Sequence, residues 1–304
     1  MKNLDAQHPA VTGQIAQRVS AIGIGAQKCA SSWIHAIAGS HPQISVSDPK
    51  ELDFFSYYFD RGYQWYESHF ESPGSKEKIR FENSPSYFHD PRSAGRAQAY
   101  NPDMKIVVLL RDPVKRAFSN HLHEVIKGHI DPVPFEDGLN NNPSYLEQGL
   151  YARHLRRWHD TFGAARVQVM FAEEIARDAG AAARALYEFL EVDTTFDSAI
   201  LHERRNESDR ARLPILRHGL RAGGNWMRRS GREPLLARIK ATPPVAQILK
   251  ANRIEVRNEI PPMRSDTEAA LRAAFEPEMT ALRAMLGRET LPWETGCERR
   301  REHG

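Results

Sequence analysis

The chain has 304 residues, 40% of them apolar and 27% charged, with 42 Lys and Arg against 39 Asp and Glu for a net charge of +3. That balance excludes a disordered chain, gives room for a large core, and argues against a role built on nucleic-acid binding. Two cysteines, Cys29 and Cys297, make neither a disulfide framework nor a zinc cluster, and no run of about 18 apolar residues offers a membrane span.

Residues 1–18 are polar and are expected to form an N-terminal arm. The first ten residues hold no apolar h-region, so no signal peptide is expected and a reducing cytoplasm is the default compartment. Arg18-Val-Ser-Ala-Ile-Gly-Ile-Gly25 reads as a short buried strand ending in glycine. A small-residue loop, Ala26-Gln-Lys-Cys-Ala-Ser-Ser32, leads into a helix over 33–39 stopped by Gly39 and Pro42. Short strands follow at 44–46 and 80–82. Between them lies an aromatic stretch, including Phe54, Phe55, Tyr57, Tyr58, Tyr66 and Phe70, which reads as core or as the lining of a pocket.

Lys105-Ile-Val-Val-Leu-Leu110 is the strongest strand signal, unbroken in the manner of a central parallel strand covered on both faces. Arg111-Asp-Pro113 ends it, and the pattern predicts a helix over 114–127 with Pro113 near its first turn. A Pro/Asn/Gly-rich loop is expected over 128–144, a helix over 145–162, a strand over 167–171 and a helix over 179–190. Arginines dominate 203–232, which reads as irregular structure and a solvated surface or cap. A last helix spans 267–286, with Ala270, Leu271, Ala274, Phe275 and Leu282 at helical spacing, before a charged tail at 296–304. Strands alternating with helices imply an α/β fold with a central, mostly parallel sheet between helices, in one domain over 19–295 whose variable cap is 203–266.

The first strand–loop–helix unit carries the chemistry. A helix N-terminus supplies free N–H groups and the positive end of a dipole, and small residues let an anion approach. Gly23 to Ser32 adds the Lys28 ammonium and the Ser31 and Ser32 hydroxyls. It is not a Walker A loop, because Gln27 precedes the lysine and Cys29 follows it. Read without further context, the segment is either an anion loop or a tight turn bearing a solvent-facing lysine. Gln27-Lys28-Cys29-Ala30-Ser31-Ser32-Trp33 resembles the 5′-phosphosulfate loop of sulfotransferases that use 3′-phosphoadenosine 5′-phosphosulfate (PAPS), usually Lys-x-Gly-Thr-Thr. Ser31 and Ser32 stand for the threonines and Ala30 for the glycine.

Leu109-Leu110-Arg111-Asp112-Pro113-Val114-Lys115-Arg116-Ala117-Phe118-Ser119 resembles the 3′-phosphate element of the same family. Its logic also stands alone: an arginine at the carboxyl end of a central strand lies where open α/β sheets bind ligands, and its fork suits phosphate oxygens. The bland alternative pairs Arg111 with Asp112 or another carboxylate. The resemblance runs from about Ile22 to Leu190 and is nearest the heparan-type glucosaminyl branch and its bacterial homologues, through the blocks at 50–55, 62–66 and 81–88. It implies a P-loop-like three-layer fold, PAPS as donor, adenosine 3′,5′-bisphosphate as product, and no metal.

It also implies that Gln27, Lys28, Cys29, Ala30, Ser31, Ser32, Trp33, Arg111 and Ser119 bind the donor, with Trp33 on adenine (a core tryptophan is the alternative), and that Lys28 stabilises the leaving phosphate. For the general base, Glu51 matches the glutamate before Phe54 and Phe55, where apolar neighbours would favour its protonated form; a salt bridge with Lys50 is the alternative. His123, one turn from Ser119, is the second candidate and is equally readable as a structural histidine. Asn83 stands where the glucosaminyl branch often has lysine, which turns the expectation away from a strongly anionic polysaccharide. The acceptor is a small molecule or saccharide, and its identity, O- against N-sulfation and the oligomeric state stay open. Two rival readings are a P-loop kinase or nucleotidase using ATP or GTP with magnesium, and a nucleic-acid-binding module built on the arginine-rich stretch.

Overall fold

The computed structural model describes residues 18–70, 79–202, 209–211, 253–255 and 260–294. The expected arm and tail, and most of the arginine-rich stretch, lie outside the described residues. The chain divides into two compact units: Met1–Ala117, Ser144–Arg204 and Glu268–Gly304 in the first, Phe118–Pro143 and Arg205–Thr267 in the second.

Five strands, β1 (Ala21–Gly25), β2 (Ile44–Val46), β3 (Ile79–Asn83), β4 (Lys105–Leu110) and β5 (Val167–Phe171), form a sheet in the order β2-β3-β1-β4-β5. Every pairing is parallel. All five residues of β1 and the last five of β4 are buried, so side chains on both faces are covered and the sheet is the middle of three layers. The chain leaves β1 toward β2 and β3, then returns to lay β4 on the other side of β1. The carboxyl ends of β1 and β4 therefore flank a topological switch point, where open α/β sheets bind ligands.

The helices of the first unit are α1 (Ser31–Ser40), α2 (Gly62–Glu67), α3 (Ser93–Tyr100) and the start of α4 (Pro113–Lys127). They continue, beyond α5 (Phe135–Asn141) of the second unit, with α6 (Ser144–Glu147), α7 (Tyr151–Phe162), α8 (Ala172–Arg177) and α9 (Ala179–Leu190), and with most of α10 (Ser265–Leu286). Two helix boundaries and one helix face differ from expectation. Helix α1 begins two residues early, at Ser31, because Ala30 turns left-handed and opens the helix directly behind the loop. The helix expected over 145–162 is two, α6 and α7, divided at Gly149: a Cβ there would lie 2.5 Å from the ring of Phe275 on α10, so the backbone is drawn against that buried ring. On α10 the apolar stripe is Leu271, Phe275, Met279 and Leu282, while Ala270 and Ala274 face solvent.

The second unit takes the rest of α4, the α5 helix (Phe135–Asn141) and an antiparallel pair, β6 (Asp209–Ala211) with β7 (Arg253–Glu255). Helix α5 lies inside the stretch expected to be loop. Its Phe135 is fully buried and meets Phe118 edge-on at 5.4 Å, and that burial outweighs the local turn chemistry. Leu122, Val125 and Ile260 make a small core there, flanked by Phe118, Ile126 and Ile130.

The aromatic stretch is mostly core. Phe54, Phe55 and Tyr66 are fully buried, with Phe54 stacked on Tyr66 at 4.5 Å, while Tyr57 and Tyr58 face solvent.

Candidate functional site

The loop after β1 is shaped by its backbone. Gly25 has φ 112, and a Cβ there would lie 2.6 Å from the carbonyl oxygen of Pro85, so only glycine lets the two chains pass. Lys28 and Ala30 both take left-handed φ of 66 on either side of Cys29, an alternation that turns amide N–H groups into a concavity suited to an anion. Ala30 then caps α1, its carbonyl accepting from the amides of Trp33 (2.9 Å) and Ile34 (3.2 Å), and no acidic residue occupies the first helical turn.

Gln27, Lys28, Ser31 and Trp33 are half-buried and Ser32 is exposed. Cys29 is turned the other way: it is fully buried, its thiol 3.9 Å from the Tyr151 hydroxyl, and burial pushes it up to about 12. It can offer a ligand its backbone but not a thiolate.

The second anchor meets the first. The Arg111 guanidinium donates to the Lys28 carbonyl (Nη1 to O, 3.4 Å), so the two motifs adjoin across β1 and β4. Arg111 is not paired with Asp112. That carboxylate is buried, caps α4 through the amides of Val114 (2.9 Å) and Lys115 (3.3 Å), and accepts from Arg272 (3.2 Å). Tyr151 donates to the Arg111 carbonyl (2.9 Å) and holds the backbone of the anchor.

Glu51 departs from expectation in its surroundings. It is 43% exposed and forms an ion pair with Lys50 at 2.6 Å, rather than lying against apolar side chains. It does belong to the same cluster. Lys50, offered by the sequence as the alternative salt-bridge partner of Glu51, does make that pair, and it also reaches the hydroxyls of Ser31 (3.4 Å) and Ser32 (3.3 Å). It thus adds a second ammonium where the loop already offers Lys28. His35, unremarked in the sequence, lies within electrostatic reach of Lys50 and Glu51, and burial holds it below the usual histidine range.

Asn83 is fully buried, and its side-chain amide donates to the Ser31 carbonyl (3.0 Å), bracing the loop from β3. Beside it Glu82 is fully buried, and desolvation pushes its carboxyl up to about 8. Ser119 and His123 lie on α4 in the second unit, both half-buried and one helical turn apart. His121, on another side of that helix, is buried and shares a hydrogen bond with the Val133 carbonyl (2.9 Å).

A family model for the sulfotransferase domain matches residues 21–210. Over 196 residues the chain is 28% identical to the mouse bifunctional heparan sulfate N-deacetylase/N-sulfotransferase 1, covering 57% of this chain and 22% of that protein. Over 113 residues it is 34% identical to the membrane-associated sulfotransferase kil1 of Dictyostelium discoideum, covering 36% of this chain and 24% of that one. The matches thus span about a fifth to a quarter of the length of these curated relatives. Among solved structures, a sulfotransferase from Alicyclobacillus acidocaldarius superposes with a TM-score of 0.66 at 23% identity, covering 91% of this chain and 99% of the other, and has the same fold. No described helix is long and apolar enough to cross a membrane.

Proposed function

The chain belongs to the sulfotransferase family, and from that premise we propose that it moves the sulfuryl group of PAPS to an acceptor hydroxyl, leaving adenosine 3′,5′-bisphosphate. One observation carries the reading: the guanidinium of Arg111, after the central strand, lies 3.4 Å from the carbonyl of Lys28, in the loop after its neighbour. Two cationic anchors at one switch point suit a donor with a phosphate at each end.

The loop fits such a donor in its chemistry. The left-handed Lys28 and Ala30 on either side of Cys29 suit a nest of amides, and the Ser31 and Ser32 hydroxyls already have an ammonium beside them. Lys28 and Lys50 are the groups to stabilise negative charge developing on the leaving phosphate. Arg111 holds the ribose phosphate. Glu51 takes the acceptor proton as the new oxygen–sulfur bond forms and the bond from sulfur to the phosphate oxygen breaks. Its ion pair with Lys50 joins base and leaving-group stabiliser in one cluster, so proton removal and charge stabilisation happen side by side.

Asp112 supports this reading over a magnesium-dependent kinase: it follows the strand where a metal-binding carboxylate could be sought, yet both its oxygens are spent on the helix cap and Arg272. The mouse relative's name includes N-sulfotransferase, so an amine is the second acceptor to try.

Incubation with sulfur-labelled PAPS and a panel of saccharide, phenolic and aliphatic acceptors tests the proposal. Label should reach an acceptor, and Lys28→Ala and Arg111→Ala should each lower kcat/KM by about 100-fold or more. Full activity in Arg111→Ala would overturn the donor-site assignment.

A further inference from the structure

We propose that Glu82, together with Ser84 and Tyr87, positions Glu51: the three build the turn that presents its carboxylate and touch neither donor nor acceptor themselves. The inference rests on Glu51 as the base. It begins with the backbone, for Glu51 has φ 64 and Asp53 has φ 51, a left-handed region that side-chain-bearing residues rarely enter. Two such residues flanking one amino acid do not hold that shape on local preference; neighbouring structure must impose it.

The neighbouring structure is the end of β3 and the turn after it. Three successive amides of the turn each donate to a side chain from this block. The Leu52 amide donates to Glu82 Oε1 (3.3 Å), the Asp53 amide to Ser84 Oγ (2.8 Å) and the Phe54 amide to the Tyr87 hydroxyl (2.8 Å). Ser84 in turn donates its hydroxyl proton to the same oxygen of Glu82. Ser86 adds a hydrogen bond to Asp53 Oδ1 (2.5 Å). Glu82, Ser84 and Tyr87 are all fully buried, so the clamp is sealed from water.

The arrangement is economical in what it reaches. A carboxyl oxygen can accept two hydrogen bonds and a hydroxyl can donate one while accepting another: Glu82 Oε1 accepts from the Leu52 amide and from Ser84, whose own oxygen accepts from the Asp53 amide. Asn83, between two clamp residues in sequence, braces the Ser31 carbonyl instead. One short segment of β3 therefore registers the base-bearing turn and the phosphosulfate loop against each other. A catalytic group misplaced by about 1 Å can lose on the order of 100-fold in rate.

The test is a double-mutant cycle read in kcat, with adenosine 3′,5′-bisphosphate affinity measured alongside. Ser84→Ala, Tyr87→Phe and Glu82→Leu should each lower kcat by about 10- to 100-fold while nucleotide affinity stays within about 2-fold. Glu82→Gln, which keeps an acceptor oxygen, should restore most of the loss. In a Glu51→Gln background the same substitutions should cost less than about 3-fold, because the group they position is already gone. Equal losses in both backgrounds, or nucleotide affinity lost in parallel, would overturn the proposal. Should Glu82→Leu fail to fold, the serine and tyrosine variants carry the cycle. Amide hydrogen exchange separates the two possible failures. If Glu51→Gln keeps full activity, the base assignment falls; faster exchange at Leu52, Asp53 and Phe54 in Ser84→Ala and Tyr87→Phe then still upholds the clamp, and unchanged exchange sinks it.

Discussion

Ala30 shows how one methyl group changes the cost of a site. It holds the position that is glycine in the loop pattern the segment resembles, and it sits at φ 66. A left-handed L-residue costs about 1–2 kcal/mol, of which glycine's greater freedom in the unfolded chain offsets part. Ala30→Gly should therefore raise stability by up to about 1 kcal/mol, read as a later denaturation midpoint with an unchanged slope. Glu82 has a pH signature. Its carboxyl is pushed up to about 8 from 4.5, so the folded chain holds its proton more tightly than the unfolded chain, and stability falls as pH rises toward 8. His89 works in the opposite direction lower down, since burial depresses it to about 4 and it gives up stability as pH falls below 6.5. Between pH 6.5 and 8 the Glu82 contribution is the visible one. Stability should drop there by on the order of 1–2 kcal/mol, and Glu82→Gln should flatten the slope.

Among the elements, β4 and β1 were legible because their apolar runs admit one environment, a central strand covered on both faces. The break between α6 and α7 was not, because its cause is 126 residues away in Phe275, 149 against 275 along the chain. Gly149→Ala must push that buried ring aside, and should destabilise by about 1–3 kcal/mol in thermal or chemical unfolding. Helix α5 escaped notice for the same kind of reason: Pro134, Gly138 and a run of asparagines read as loop, and only the burial of Phe135 against Phe118 makes the segment a helix. The aromatic stretch read either way from composition. Most of its rings turn out to be core packed behind the 51–54 turn, while Tyr57 and Tyr58 face solvent.

At the level of the molecule, the strand order β2-β3-β1-β4-β5 does what neither motif does alone. Residues 28 and 111 are distant in sequence and become neighbours because β1 and β4 are adjacent and parallel. A ligand that engages both anchors binds only the folded chain and stabilises it by mass action. Adenosine 3′,5′-bisphosphate at about 100 times its Kd should add about 2.7 kcal/mol, visible as a rise of several degrees in Tm, while ATP with magnesium should give a much smaller shift.

The amino-acid order alone specified the α/β class, the strand–loop–helix unit with Lys28, Ser31 and Ser32, and the place of Arg111 at the end of the central strand, since each depends on local pattern and the order of motifs. Most of what surrounds Glu51 was settled only by folding. The salt bridge to Lys50 is a neighbour pairing the sequence could offer, but the reach of Lys50 to the loop serines and the clamp by Glu82, Ser84 and Tyr87 join residues from separate elements. Hydrogen bonds between elements leave no periodicity to read, because they follow from how strands are ordered and how closely backbones pass, as at Gly25 against Pro85.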